Sequence, residues 1–176
     1  VACLPNGSLV ASGGGVGTVK LWDMGTGLER ASLGRKQAAI RCLAVSPDAK
    51  TLAWGDEEGV LTVWGLPQGR LRATVAAHNG AMRNLAFSQD SQLIASCSWD
   101  GTASLWQVET GESAGSRLPY GNTEPSSEPW INAVAFTPDG QTLACAEFGS
   151  VALWDLTARK VQARLHRHRN WIANLA

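Results

Sequence analysis

Residues His78-Asn79-Gly80-Ala81-Met82-Arg83-Asn84-Leu85-Ala86-Phe87-Ser88, then Leu93-Ile94-Ala95-Ser96-Cys97-Ser98-Trp99-Asp100-Gly101-Thr102, then Ala103-Ser104-Leu105-Trp106, decide the fold. The rest of the chain is weaker copies of this stretch. Trp22, Trp64, Trp106 and Trp154 each end an alternating apolar run: Val19-x-Leu21, Leu61-x-Val63, Ala103-x-Leu105 and Val151-x-Leu153. They are spaced by 42, 42 and 48 residues. The long interval contains an insertion before Trp130, and one residue is lost where Trp99-Asp100-Gly101 becomes Phe148-Gly149. The underlying period is 42 residues, which marks a repeat architecture.

Each period reads as four short strands, A to D. Strand A is Ile40–Val45 in the second copy. Its apolar positions, 40, 43 and 45, recur at Met82, Leu85 and Phe87 and at Ile131, Val134 and Phe136. A gap of three followed by a gap of two predicts a β-bulge near the start of every A strand. Ser46-Pro47-Asp48 and its relatives close the A–B turn, with Pro presetting φ and Asp capping through its side chain. Gly17, Gly59, Gly101 and Gly149 fall in the B–C turns, where a tight hairpin needs positive φ. Strand D is expected at Leu28–Leu33, Leu71–Ala76, Ser113–Leu118 and Val161–Leu165. One four-stranded sheet cannot cover both of its own faces; stacking successive sheets around an axis does so.

The period, the Leu93-Ile94-Ala95-Ser96 strand, the Asp100-Gly101-Thr102 turn and Leu21-Trp22-Asp23 resemble the WD40-repeat β-propeller family. The resemblance spans the whole chain. Strict Trp-Asp is kept at Trp22-Asp23 and Trp154-Asp155 and lost at Trp64-Gly65 and Trp106-Gln107. It implies an all-β propeller of four-stranded antiparallel blades. Blade one spans about 1–35, blade two 36–77, blade three 78–126 and blade four 127–167, with a fifth repeat starting at 168–176. Rings of this kind close with seven or eight blades, so four blades read first as a piece of a longer protein. Two copies pairing into an eight-bladed ring come next, and a self-closed four-bladed ring last. The resemblance also implies a structural hydrogen-bond tetrad, complete only in the third copy as His78, Ser96, Asp100 and Trp106. The second copy has Lys36, Trp54 and Glu58 at those positions. The first keeps Ser12 and Trp22, and the fourth has Ser127, Cys145 and Trp154.

Fifteen basic residues balance fifteen acidic ones, so no global field draws the chain to nucleic acid or to an anionic membrane. No apolar run approaches the ~20 residues of a membrane span. No signal-peptide pattern is found, and a chain opening on Val1 leaves a processed or truncated N-terminus open. Cys3, Cys42, Cys97 and Cys145 lack metal or redox spacing and are expected as buried free thiols, which favours a reducing, cytoplasmic setting. His166 and His168 form no metal pair in this reading, since His168 falls at the repeat's own His position. Gly13-Gly14-Gly15-x-Gly17 lies in a hairpin rather than before a helix, so it is a turn and not a phosphate loop. No cofactor and no catalytic residue is expected.

Antiparallel order places the B–C turns and D–A loops at one end of every blade, here called the top. Trp99, Phe148, Trp130 and Trp171 all fall there, and Arg41 and Arg83 begin A strands nearby. Aromatic and Arg clusters are what protein-binding hot spots use. The alternative is that these rings fill the central funnel or pack on neighbouring loops. Trp54, at a network position, is expected to be buried. The insertion from Pro119 to Pro129 is either a partner-reading loop or a tolerated surface segment. The expected function is a non-enzymatic scaffold that binds a protein or peptide, within a larger regulatory or signalling protein. Two alternatives stand beside it: a hydrolase-like propeller enzyme with a funnel site, and a sensor segment fused to a kinase-type output domain.

Overall fold

Thr51-Leu52-Ala53-Trp54-Gly55-Asp56 is buried at all six positions. A strand buried on both faces needs a sheet on either side of it. The computed structural model supplies them. It describes residues 1–34, 38–66, 69–115, 118–119 and 130–175, the side chains of 119 and 167–169 apart. Four antiparallel sheets follow one another along the chain. The first holds β1 (Ala2–Cys3), β2 (Leu9–Gly13), β3 (Val19–Asp23) and β4 (Glu29–Leu33). The second holds β5 (Ile40–Val45), β6 (Thr51–Asp56), β7 (Val60–Gly65) and β8 (Arg70–Ala76). The third holds β9 (Met82–Phe87), β10 (Leu93–Ser98), β11 (Thr102–Gln107) and β12 (Leu118–Pro119). The fourth holds β13 (Ala133–Phe136), β14 (Thr142–Ala146), β15 (Phe148–Asp155) and β16 (Lys160–Trp171).

The first strands of the sheets lie side by side: β1 contacts β5, β5 contacts β9, and β9 contacts β13. Each second strand also leans on the first strand of the next sheet, β2 on β5, β6 on β9 and β10 on β13. The sheets therefore stand radially, as blades of part of a β-propeller. Among the described residues the first and fourth sheets make no comparable approach.

Three apolar layers fill the spaces between blades. Val19, Leu21 and Leu33 meet Leu52 and Trp54 between the first two. Leu61 and Val63 meet Met82, Leu85 and Ile94 between the second and third. Leu105 and Cys97 meet Val134, Leu143 and Trp154 between the third and fourth. Removing Leu52, Leu61, Ile94 or Leu143 from water contributes about 1.5–3 kcal/mol each. A smaller cluster, Ala133 and Ala146 with Ile172, begins to cover the far face of the fourth blade.

The A–B turns repeat one hydrogen-bond pattern. Ser46, Ser88 and Thr137 donate their hydroxyls to Asp48, Asp90 and Asp139 two residues on. Each hydroxyl oxygen then accepts the amide five residues on, from Thr51, Leu93 and Thr142. The bulges expected in the A strands occur in two blades. The register skips Arg41 between Ile40 and Cys42, and Arg83 between Met82 and Asn84. In the fourth blade β13 starts at Ala133 and pairs without a shift, so no bulge falls within its ladder. A second bulge, absent from the sequence reading, recurs opposite the repeat Trp in the first, second and fourth blades.

Two D strands depart from expectation. In the third blade the described part of the expected Ser113–Leu118 strand pairs as a Trp106–Ser113 bridge and the short β12. In the fourth, the expected Val161–Leu165 strand is part of the much longer β16. Loss of the Asp-Gly-Thr turn lets β15 begin at Phe148, and β16 follows it up to a Phe148–Trp171 pairing. The expected start of a fifth repeat at His168 therefore lies within a strand of the fourth sheet.

Gly59 shows how tightly neighbouring blades engage. Its φ is +81°, and its carbonyl accepts the amides of Ala77 and His78 as the chain crosses to the third blade. A Cβ here would lie 2.3 Å from the carbonyl oxygen of His78, which is backbone and has little room to retreat. Gly59→Ala is expected to destabilise the protein by more than about 2 kcal/mol in urea denaturation, from left-handed strain plus the clash. An effect below about 0.5 kcal/mol would contradict this packing.

Candidate protein-interaction site

The third blade carries a connected polar chain from its third strand, β11, to its top. Trp106 Nε1 donates to Ser96 Oγ at 2.8 Å. Ser96 Oγ lies 2.8 Å from His78 Nε2, and His78 Nδ1 lies 3.2 Å from Asp100 Oδ2. An ionised carboxylate only accepts, so Nδ1–H donates to Asp100 and Ser96 donates to Nε2. Thr102, which the sequence reading did not include, donates its hydroxyl to Asp100 Oδ1 at 2.6 Å and its amide to the same oxygen. Its signal was the Asp-x-Thr spacing, which lets one carboxylate collect both donors. Asn79 N adds a further bond to Asp100 Oδ2. Burial alone would raise the Asp100 carboxyl. The hydrogen bonds from Thr102 and Asn79, with His78 beside them, outweigh it and hold the group below its ordinary value.

The other blades replace this chain in different ways. Trp22 Nε1 donates to Ser12 Oγ at 2.8 Å, and among the described residues the chain goes no further. In the second blade Trp54 is 4% exposed and packs its ring 6.2 Å from Trp64. The turn there is tied by Asp56, not by Glu58: Asp56 Oδ1 accepts the amides of Glu58 and Val60. In the fourth blade Cys145 and Trp154 sit in the apolar layer, and the turn residue Glu147 is buried. Glu147 accepts from Arg164 on β16 and from Ser150 Oγ. Burial pushes its carboxyl up, and Arg164 pulls it back. Lys36 and Ser127 lie outside the described residues, as do the insertion up to Pro129, Ala176 and the side chain of His168.

At the top of the third and fourth blades, aromatic residues from four elements form one row. Trp99, in the β10–β11 turn, lies with its ring centroid 5.5 Å from that of Trp130, just before β13. Trp130 stacks on Trp171, at the end of β16, at 5.3 Å and 22°. Phe148 closes the row edge-on to Trp171 at 4.8 Å. At the other end the Arg83 guanidinium lies 4.8 Å from the Trp99 ring centre. The bulge at Arg83 and the extension of β16 are what bring the two ends of this row into reach. Such ring pairs contribute about 0.5–1.5 kcal/mol each beyond their burial. The row is not sunk into a core: Trp99 and Phe148 are 42% exposed and Trp171 is 39% exposed. Arg41 does not join it. That guanidinium pairs with Glu57 at 3.0 Å on the second blade.

The innermost strands present Cys42, Leu43, Leu85 and Val134 and no carboxylate. Among the described residues no group of three or more His, Cys, Asp or Glu is placed to hold a metal ion, and no helix is long and apolar enough to cross a membrane. Cys97 and Cys145 are buried, with burial pushing both thiols well up. Burial likewise takes Cys42 up to about 12. Cys3, expected to be buried, is exposed on the first of the four sheets.

Two outcomes follow for the polar chain. His78→Ala is expected to cost about 1–3 kcal/mol in chemical denaturation, since it takes away the acceptor of the buried Ser96 hydroxyl and a donor to Asp100; an unchanged midpoint would remove the chain's structural role. Asp100 is depressed in the folded state, so the unfolded state binds its proton more readily. The stability it contributes is present above the ordinary Asp value near 3.8 and is lost as pH falls through the lower folded value. Asp100→Asn is therefore expected to flatten the acid limb of the stability–pH curve below about pH 4, and an unaltered slope there would contradict it.

The family model for the WD domain, G-beta repeat, matches residues 1–23, 69–107 and 121–155, rather more than half of the chain. The matched segments skip the second blade's polar-network positions, where Trp54 replaces a hydroxyl residue. No curated protein matches the chain. WD40 repeats are in general protein-interaction scaffolds without catalytic activity. With four radially packed four-stranded sheets and this match, the chain belongs to the WD40-repeat family.

Proposed function

We propose that this chain is a non-enzymatic interaction module that captures a peptide or protein segment on the top of its third and fourth blades, in the service of a regulatory or signalling protein. One observation carries the reading: Trp99, Trp130, Trp171 and Phe148 form a continuous row whose members stay partly open to solvent, capped by Arg83. Large rigid rings offer contact area at small entropic cost, and Trp with Arg is the hot-spot pairing of protein interfaces. Arg41, held by Glu57, stands on the second blade as a rim contact that tunes association more than affinity. The polar chain of His78, Ser96, Asp100 and Trp106 lies beneath as structural support, holding the turn that presents Trp99.

Panning a random peptide library on the wild-type protein, then measuring the selected clones against the Trp99→Ala/Trp130→Ala double variant, tests this. The expected result is at least a tenfold loss of affinity, with the far-ultraviolet spectrum retained and the melting temperature lowered by only a few degrees. Clones that bind both proteins equally would overturn the reading.

A further inference from the structure

The chemistry of the row points to a particular class of partner. We propose that it binds a proline-rich segment in the polyproline II conformation that carries an acidic residue about one turn from its central proline. The proposal rests on the top-face reading and narrows it.

Three observations carry it. The first is exposure. Trp130, the middle ring, is less exposed than Trp99 and Trp171, so the row is open at the two rings that flank it. The second is spacing. Trp130 lies 5.5 Å from Trp99 and 5.3 Å from Trp171, each within the ~9 Å turn of a polyproline II helix. A prolyl ring at Trp130 therefore has an aromatic neighbour on each side within one turn of its own helix. Flat prolyl faces pack on aromatic planes, and the helix reaches the site already extended, with little conformational entropy left to lose.

The third is charge. Arg83 is exposed and lies over Trp99, and among the described residues no carboxylate pairs with it. It is an uncompensated cation at one end of an aromatic row, which a carboxylate from the ligand complements. The same guanidinium already occupies a face of Trp99, so a cationic ligand such as an alkylated ammonium meets like-charge repulsion there. Single-stranded nucleic acid would also stack on such rings. It needs a track of cations for its phosphates, however, and the balanced net charge and, among the described residues, the one guanidinium on this row do not provide one.

The test uses fluorescence anisotropy with three labelled peptides: a proline-rich decamer bearing one Glu, the same peptide with Lys for Glu, and a Gly/Ser decamer keeping the Glu. A uridine oligonucleotide serves as a fourth probe. The Glu-bearing proline peptide is expected to bind at least tenfold more tightly than the Gly/Ser peptide, and about tenfold more tightly than the Lys peptide. Arg83→Glu, a surface change that leaves the rings in place, is expected to reverse the Glu-over-Lys preference. Trp99→Phe is expected to keep most of the affinity and Trp99→Ala to lose it. Equal binding of the Gly/Ser peptide, preference for Lys, or capture of the oligonucleotide alone overturns the proposal. The random library separates this failure from that of the broader reading. Selected clones that lack proline yet depend on Trp99 and Trp130 would sink the proline-rich partner and leave the interaction module standing.

Discussion

The structure depends on face covering. A four-stranded sheet of this composition is apolar on both sides, as the fully buried run Thr51–Asp56 shows, and neither side can be left to water without losing several kcal/mol of burial. Each sheet solves this by lending one face to the sheet before it and the other to the sheet after it. Small residues make the approach close enough. Ala11, Ala53 and Ala95 occupy equivalent places in the second strands and are fully buried. At Gly55 an added Cβ would meet Met82 and Cys42 within 3 Å. Stability is then a sum of interfaces between neighbours more than of intrinsic blade strengths.

The fold was legible because these constraints repeat. Four Trp residues at one period and the turn Gly at 17, 59, 101 and 149 leave the same imprint in every copy, and the turn Asp at 48, 90 and 139 leaves it in three of the four. Each imprint comes from local chemistry that a sequence displays: alternation, positive φ, side-chain capping. What stayed hidden has another origin. The length of β16 depends on how far β15 continues once a turn is deleted, and that is decided by pairing between distant residues. Glu147 reads as an ordinary acidic turn residue until Arg164 is seen to arrive from the outer strand. Cys3 falls in a strand pattern like the other cysteines; only the structure shows it exposed.

The candidate site shows the same division. That aromatic residues gather at one end of the blades follows from strand order alone. That four of them touch, and that Arg83 but not Arg41 joins them, depends on bulges and on the course of β16. Both Arg residues occupy the same bulge position in their strands. They differ in what faces them: Glu57 for one and the Trp99 ring for the other. Among the described residues, the complete polar chain lies in the blade that presents Trp99. A turn tied by several side-chain hydrogen bonds thus carries an exposed ring, which suits a surface that must meet a partner without reorganising.

The uneven burial of the thiols has a practical side. Maleimides and disulfide reagents react with thiolates that solvent can reach. Cys97 and Cys145 are closed off on both counts, and the Cys42 thiol is pushed up to about 12. Cys3, on the first sheet and away from the aromatic row, is the exposed thiol of the four and the attachment point that this chain offers. A fluorophore or spin label placed there would report from far off the interaction face without any residue being replaced.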